Sequence, residues 1–216
     1  VGWLQMLFLE DWYFAVGSAP RDKAYFPQPP AADDGPWVQI VASGPDHEHY
    51  AIEKLYFAAI AGARQRVLIT TPYCVPNEAM FAALATTAMR GVEVKMLVPA
   101  RGDSRLVDAA ARTYYEELAQ AGVRVYQYYP AMLHAKTMVV DDQLALVGTA
   151  NLDNRSFRLN FEVVAAIYDS AFAQQLADVF AADMQYATKF RLRESRRAPL
   201  WRRLGEATAR LLSPLL

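Results

Sequence analysis

From Trp37 onward, short apolar runs of strand length alternate with longer runs of helix length, and this alternation restricts the fold more than any other feature. The runs that predict strands are residues 37–43, 66–71, 92–98, 123–129, 134–140, 144–149 and 161–168. The runs that predict helices are residues 48–62, 77–90, 104–120 and 170–186. Because nearly continuous apolar strands need cover on both faces, we expect an α/β fold, a sandwich whose central sheet has helices on both sides.

Composition shifts divide the chain into four parts. Residues 1–20 carry a helical apolar stripe and read as the end of a preceding structural half, so we expect the chain to be a fragment of something longer. Residues 21–36, rich in proline, alanine and aspartate, predict a linker. Residues 37–188 form the predicted domain, and residues 189–216 form a basic amphipathic tail.

Charge and cysteine content narrow the functional classes. The net charge of -1 gives no general argument for nucleic acid binding. Between Lys189 and Arg210, however, eight residues are basic and only two are acidic. Because apolar residues are interleaved there, the tail predicts attachment to an anionic membrane surface, with a solvated arm as the alternative. Cys74 is alone, so the chain contains no internal disulfide.

The stretch "HAKTMVVDDQLALVGTAN", residues 134–151, concentrates chemically active side chains. Side chains at i and i+2 of a strand share a face, so we expect His134 and Lys136 to lie side by side. This pair suits attack on a phosphodiester, since the lysine binds phosphoryl oxygens and the imidazole supplies a nucleophile or a proton. Asp141 has the opposite parity, so we expect it to bond backbone at its own turn through short-range hydrogen bonds.

Further polar residues follow on the returning chain. Gly148 allows close backbone approach, and Thr149 and Asn151 are able to donate to phosphate oxygens. Glu162 begins the next predicted strand, where it is able to accept from the second ring nitrogen of His134 and orient the ring. The alternative is a buried hairpin with a satisfied histidine and a surface lysine. Five placed residues with a suitably spaced glutamate favour the functional interpretation.

The spacing of His134, Lys136, Asp141, Gly148, Thr149 and Asn151 resembles the His-Lys-Asp (HKD) signature of the phospholipase D superfamily. The segments "AAIAGARQRVLITTPYCVPNEAM", "RGVEVKMLVPARGDSRLV", "YYEELAQAGVRVYQY" and "GTANLDNRSFRLNFEV" resemble its bacterial cardiolipin synthase branch, in order and at compatible spacing. The resemblance covers nearly the whole chain. Cys74 stands where a phenylalanine is usual, and Thr149 where serine is commoner. The resemblance implies a phospholipase D-like α/β/α sandwich with a mixed central sheet.

The resemblance also implies a mechanism that needs two such motifs, one from each half of the enzyme. One histidine attacks phosphorus to form a phosphohistidine, and the other, here assigned to His134, protonates the leaving alcohol. Lys136 and Asn151 would hold the phosphate, Glu162 would orient His134, and Asp141 would act structurally. The implied reaction converts two phosphatidylglycerol molecules into cardiolipin and glycerol at the bacterial cytoplasmic membrane, without a metal or cofactor.

Since the chain contains one HKD motif, the resemblance implies a missing partner. This is the upstream half of the same protein or a second copy of the chain. Peripheral attachment, or anchoring by segments outside this chain, would hold the enzyme at the membrane.

Two other groups of residues are candidates for a functional role. His47 and His49 are possible metal ligands, but adjacent polar residues before a helix more often form a solvated cap. Tyr73 and Arg101 lie in loops after predicted strands, where ligand-contacting loops of α/β sheets are common, so they are candidates for a lipid entrance.

Three functions compete at this point. The first is phosphatidyl transfer, and the second is phosphodiester hydrolysis, on a phospholipid or a nucleic acid, by a dimer. The acidic balance outside the tail disfavours a nuclease, which needs a basic surface along the phosphate backbone. The third, a non-catalytic lipid-binding fragment, is disfavoured by the full set of His134, Lys136, Asn151 and Glu162. Phosphatidyl transfer is the preferred prediction.

Overall fold

The apolar runs of the sequence form one mixed sheet in a computed structural model, which describes residues 2–20, 22–26, 35–46, 49–196 and 199–211. The strands are β1 (Trp37–Ser43), β2 (Arg66–Thr70), β3 (Cys74–Val75), β4 (Glu93–Pro99), β5 (Arg124–Tyr128), β6 (Thr137–Val140), β7 (Leu144–Gly148), β8 (Leu152–Asp153), β9 (Glu162–Tyr168) and β10 (Ala187–Lys189). The described strands form a main sheet in the order β1-β9-β7-β6-β2-β4-β5-β10, with β3 and β8 paired separately.

The helices of the described residues are α1 (Gly2–Val16), α2 (Ala51–Gly62), α3 (Glu78–Met89), α4 (Arg105–Gln120), α5 (Asn154–Arg158), α6 (Ser170–Met184), α7 (Leu192–Arg196) and α8 (Leu200–Leu211). A short 3-10 helix spans Lys23–Tyr25. Side chains cap several of these helices, as Asn77 does for α3 by accepting from the Met80 N–H.

Two apolar layers cover the sheet, one on each face. Alternate residues of β2 enter opposite layers, because Val67 and Ile69 pack with α2, α3 and α4 while Leu68 packs with α6. The parallel strands β2, β4 and β5 are flanked by antiparallel ones. The predicted α/β sandwich with a mixed central sheet is therefore confirmed.

The two ends of the chain differ from the sequence prediction. Apolar side chains surround α1 on several sides rather than forming one stripe, and Leu9 is its buried residue. At the other end, the predicted boundary between residues 188 and 189 falls inside β10, which pairs with β5. The predicted tail is not separate either, since α8 packs on α4 with Ala209 buried and Arg210 paired with Glu117. Of the predicted linker, residues 21 and 27–34 lie outside the described residues.

Candidate active site at the edge of the central sheet

The predicted site residues lie where several strands end at one edge of the sheet. Thr137, the first residue of β6, pairs with Thr70, the last residue of β2. The neighbouring Lys136 carbonyl accepts from the N–H of Gly148, the last residue of β7, at 3.2 Å. Glu162, the first residue of β9, pairs with Ser43 at the end of β1. The sheet thus gathers these residues where ligand sites of α/β folds are common.

His134 and Lys136 are neighbours, although not for the reason predicted. The strand begins at Thr137, so both residues precede it in irregular backbone, and the predicted strand over 134–140 is wrong at its start. The Lys136 amine nevertheless lies 3.0 Å from Nδ1 and 3.3 Å from Nε2 of His134, and it donates to the His134 carbonyl at 2.8 Å. The exposed imidazole and the half-buried amine are therefore open to a shared ligand.

Carboxylates set the electrostatics around Lys136. Burial lowers the pKa of its ammonium, whereas the negative charges of Glu162 and Asp153 oppose this shift. Glu162 accepts from the Asn160 amide at 3.0 Å. Among the described residues no hydrogen bond joins Glu162 to His134, so the predicted orienting bond is not formed. Glu162 instead acts on the charge of Lys136.

Asp141 supports the sheet, but its partners are not the predicted ones. Its carboxylate accepts from the backbone N–H groups of Arg64, Gln65 and Arg66, at 2.8, 2.8 and 3.0 Å. These residues lie before and at the start of β2, far from Asp141 in sequence. Burial alone would raise the pKa of this carboxyl, but the three donors together hold its pKa below the ordinary value. The prediction of a short-range turn contact is wrong, while Asp141 does bond to backbone.

Gly148 and Thr149 both contact β9. A Cβ at Gly148 would lie 2.3 Å from the carbonyl oxygen of Val163, so only glycine allows the two backbones to approach this closely. The Thr149 hydroxyl accepts from the Val163 N–H at 3.0 Å and lies 3.4 Å from the Val163 carbonyl. Gly148 and Thr149 therefore hold the end of β7 against β9, next to the candidate site.

Asn151 has unused hydrogen-bonding capacity. Its backbone N–H donates to Ser156 at 3.0 Å, and its side-chain amide donates to Asp153. One amide hydrogen remains, and its Oδ1 is buried with no partner among the described residues. A buried carbonyl oxygen without a donor costs free energy.

A cavity of about 490 Å³ begins at Tyr73, which packs against His134. It is lined by the polar residues Tyr73, Asp103, Ser104, Asn151, Asp153, Arg155 and Asn160 and by the apolar residues Val75 and Val107. The Tyr73 ring meets the His134 ring edge-on, with centroids 6.4 Å apart. The Tyr73 hydroxyl donates to Asp103 at 2.7 Å, and burial and that contact raise the pKa of Tyr73 to about 12. Arg101, also expected at an entrance, lines a different cavity with Tyr128 and Tyr129.

Sequence reasoning did not single out Asp153 or Asn160. Burial raises the pKa of the Asp153 carboxyl, against the lowering effect of hydrogen bonds from Ser156 and Asn151. Asp153 also accepts from the Ser156 N–H at 2.7 Å at the start of α5. Its position three residues before a serine is a capping pattern, which predicts a helix start but not a place in a cavity.

A metal site at His47 and His49 was the disfavoured alternative from the sequence. Among the described residues, no group of three or more His, Cys, Asp or Glu side chains is placed to hold a metal ion. His47 lies outside those residues, and His49 is exposed.

Within the described parts of the chain, no helix combines the length and apolar character needed to cross a membrane.

Comparison with known proteins decides the family. The family model described as "Cardiolipin synthase, PLD-like domain" matches residues 56–184, which is more than half of the chain. This chain belongs to that family. The matched range contains all seven residues predicted for the phosphodiester site, from His134 to Glu162.

Relatives extend the similarity over the rest of the PLD-like chain. Cardiolipin synthase 2 of Bacillus anthracis is 42% identical over 215 residues, covering 99% of this chain and 42% of the relative. Cardiolipin synthase A of Pseudomonas fluorescens is 42% identical over 219 residues, covering 100% of this chain and 44% of the relative. The chain thus spans less than half the length of the curated relatives it matches.

Solved structures share the PLD-like fold at low sequence identity. Nuc from Salmonella typhimurium, a phospholipase D family member, aligns with a TM-score of 0.63 and 21% identity over 73% of this chain and 99% of Nuc. Phosphatidylserine synthase from Haemophilus influenzae aligns with a TM-score of 0.62 and 18% identity, over 83% of this chain and 48% of the other.

Proposed function

We propose that this chain forms one half of a cardiolipin synthase-like phosphatidyltransferase, which converts two phosphatidylglycerol molecules into cardiolipin and glycerol. The contact between the Lys136 amine and the His134 ring is the observation that carries the proposal. The names of relatives that are 42% identical over nearly the whole chain supply the substrate class. The whole reaction needs a second histidine from outside this chain.

The proposed reaction has two displacements. The partner histidine attacks phosphorus, the bond from phosphorus to the glycerol oxygen breaks, and His134 gives that oxygen a proton. A hydroxyl of the second phosphatidylglycerol then loses its proton to His134 and attacks phosphorus, and the bond to the partner histidine breaks. Both steps place the alcohol oxygen next to His134.

Lys136 is the proposed phosphate-binding residue of this half. Its ammonium stabilises the charge that develops on the phosphoryl oxygens, and the carboxylates of Glu162 and Asp153 favour its charged form. The free amide hydrogen of Asn151 is a second proposed donor to phosphate. Asp141, Gly148 and Thr149 hold the backbone that carries these groups.

The partner histidine comes from an upstream half of the same protein or from a second copy of this chain. Hydrolysis by such a pair would use water in place of the second lipid alcohol. Products distinguish the two reactions when the full-length protein is given phosphatidylglycerol vesicles and the products are resolved by mass. Cardiolipin plus glycerol supports transfer, whereas phosphatidic acid plus glycerol as the main products contradicts it.

Attachment to an anionic membrane surface, the bacterial cytoplasmic membrane in this proposal, would bring the site to its lipids. The exposed face of α8 carries Trp201 and Leu204, 75% and 66% exposed, near basic residues of the same segment. Amphipathic helices with cations beside apolar side chains bind such surfaces.

Vesicle co-sedimentation of the full-length protein tests this attachment. A variant combining Trp201→Gln and Leu204→Gln should bind phosphatidylglycerol vesicles less tightly, while Val179→Gln on α6, 56% exposed before substitution, should bind like wild type. Equal binding of all three proteins contradicts attachment through α8.

A further inference from the structure

The cavity next to Tyr73 is lined by side chains that take no part in the phosphate binding proposed for Lys136. Tyr73 joins the two regions, since its ring contacts the His134 ring and it lines the cavity together with its hydrogen-bond partner Asp103. The cavity therefore extends to the ring that packs against His134.

Two carboxylates lie at the cavity wall, which also carries Arg155 and the apolar Val75 and Val107. Asp103 contributes an exposed carboxylate, and the largely buried Asp153 contributes a second. Asp103 accepts from Tyr73 through one oxygen and retains further acceptor capacity. Such a wall suits a ligand that donates several O–H groups.

The cavity and the phosphate position differ in the sign of their charge. Asp103 and Asp153 would repel a phosphate, whereas the Lys136 ammonium attracts one. The Arg155 side chain at the cavity is exposed and donates to Asn160, so it offsets the carboxylates only in part. The cavity is therefore suited to a neutral polyol beside a phosphate held at Lys136.

We propose that this cavity is the alcohol subsite, which holds the glycerol headgroup as it leaves and then the glycerol headgroup of the acceptor lipid. The Tyr73–Asp103 pair is its specificity-determining element. The inference rests on the proposed function, in which His134 protonates the leaving alcohol and later takes the proton of the entering one. Because both alcohols meet the same histidine, one subsite next to His134 serves both.

The Tyr73–Asp103 pair would bind the glycerol hydroxyl that does not react. In the second displacement one glycerol oxygen gives its proton to His134 and bonds to phosphorus, as its bond to hydrogen and the bond from phosphorus to the partner histidine break. The other hydroxyl of the glycerol headgroup donates to the Asp103 carboxylate. An alcohol with a single hydroxyl lacks this contact, so the subsite favours polyols over simple alcohols.

Headgroup exchange tests the subsite directly. The full-length protein is given vesicles of phosphatidylglycerol and phosphatidylcholine with either deuterated glycerol or ethanol, and the new phospholipids are measured by mass. We expect Asp103→Asn and Tyr73→Phe, which keep side-chain size, to raise the KM for glycerol about tenfold while leaving the KM for ethanol nearly unchanged. The glycerol-to-ethanol ratio of kcat/KM then falls about tenfold.

The matched control is Asp178→Asn, an exposed carboxylate on α6, which should leave this ratio unchanged. An unchanged ratio in the Asp103 and Tyr73 variants, or a parallel fall in kcat for both alcohols at constant KM, overturns the subsite while leaving the proposed function intact. A wild-type protein that forms no phosphatidyl product with either alcohol contradicts the proposed function, and the subsite with it.

Discussion

The Lys136 amine lies 3.0 Å from Nδ1 of His134, and the same nitrogen donates to the His134 carbonyl at 2.8 Å. The fold therefore holds a cation and an imidazole side by side. Such placement reduces the reorganisation needed when charge develops on a phosphoryl group.

Removing the cation should impair the reaction more than it impairs folding. Lys136→Met keeps an unbranched side chain one atom shorter but loses the ammonium, and we expect kcat to fall by roughly 10²–10³-fold. Lys54→Met, an exposed lysine on α2, is the control and should retain wild-type kcat. Cardiolipin formation by the full-length protein measures both. Equal activity of the two variants contradicts a phosphate-binding role for Lys136.

The pH dependence of the reaction should change when the negative charge of Glu162 is removed. Burial lowers the pKa of Lys136, and the Glu162 carboxylate opposes that effect. Glu162→Gln removes the opposing charge, so the pKa of Lys136 falls further and the ammonium loses its proton at a lower pH. We expect the alkaline limb of the kcat/KM profile to move to lower pH. An alkaline limb at the wild-type position is inconsistent with this coupling.

The Asp141 carboxylate should contribute to stability through its three backbone donors. Asp141→Asn leaves at least one N–H group poorly satisfied, so we expect the free energy of unfolding to fall by about 1–3 kcal/mol. Urea unfolding measures this loss. Because the folded-state pKa lies below the unfolded value of roughly 4, the contribution is complete at neutral pH. It disappears as the pH falls through the folded-state pKa.

Asp142→Asn is the matched control for Asp141. Both residues have positive φ, 50° and 55°, which asparagine tolerates, but Asp142 makes a partly exposed ion pair with Arg66. Such pairs contribute up to about 1 kcal/mol. A loss for Asp142→Asn as large as that for Asp141→Asn contradicts the importance of the three N–H donors.

Gly148 should be intolerant of any side chain. In Gly148→Ala the new Cβ meets the Val163 carbonyl at 2.3 Å and Val164 at 2.8 Å, so β7 and β9 must separate. We expect a loss of about 1–3 kcal/mol in unfolding free energy, measured by denaturant titration.

Gly62→Ala, where no atom lies within 4 Å of the new Cβ, supplies the comparison for Gly148. It should be at least as stable as wild type, since alanine is the better helix former. A Gly148→Ala protein as stable as Gly62→Ala would mean that the approach of β7 to β9 is not what requires glycine.

The sequence predicted the sheet well because burial on both faces leaves a strong apolar signal along each strand. It failed at the start of β6, since alternation in "HAKTMVV" does not reveal where pairing begins. Thr137 is the first residue to pair with Thr70, and His134 lies outside the ladder. The nearness of His134 and Lys136 was predicted correctly from an incorrect local structure.

The partners of Asp141 were beyond the reach of local reasoning. Parity indicated that its side chain points away from the site, but not which backbone it meets. The donors at Arg64–Arg66 are brought there by the antiparallel pairing of β2 with β6, a contact between distant parts of the chain. The Glu162–Asn160 contact, which takes the place of the predicted bond to His134, is by contrast local, since it joins residues two apart where the chain passes from α5 into β9.

The central claim is that His134 transfers protons at the phosphodiester, and His134→Ala tests it most directly. The full-length protein, its His134→Ala variant and the control His49→Ala are compared on phosphatidylglycerol vesicles, with cardiolipin, glycerol and phosphatidic acid resolved by mass. We predict that His134→Ala lowers cardiolipin formation by roughly 10²–10⁴-fold while His49→Ala forms cardiolipin at the wild-type rate. Wild-type cardiolipin formation by the His134→Ala protein would contradict the claim.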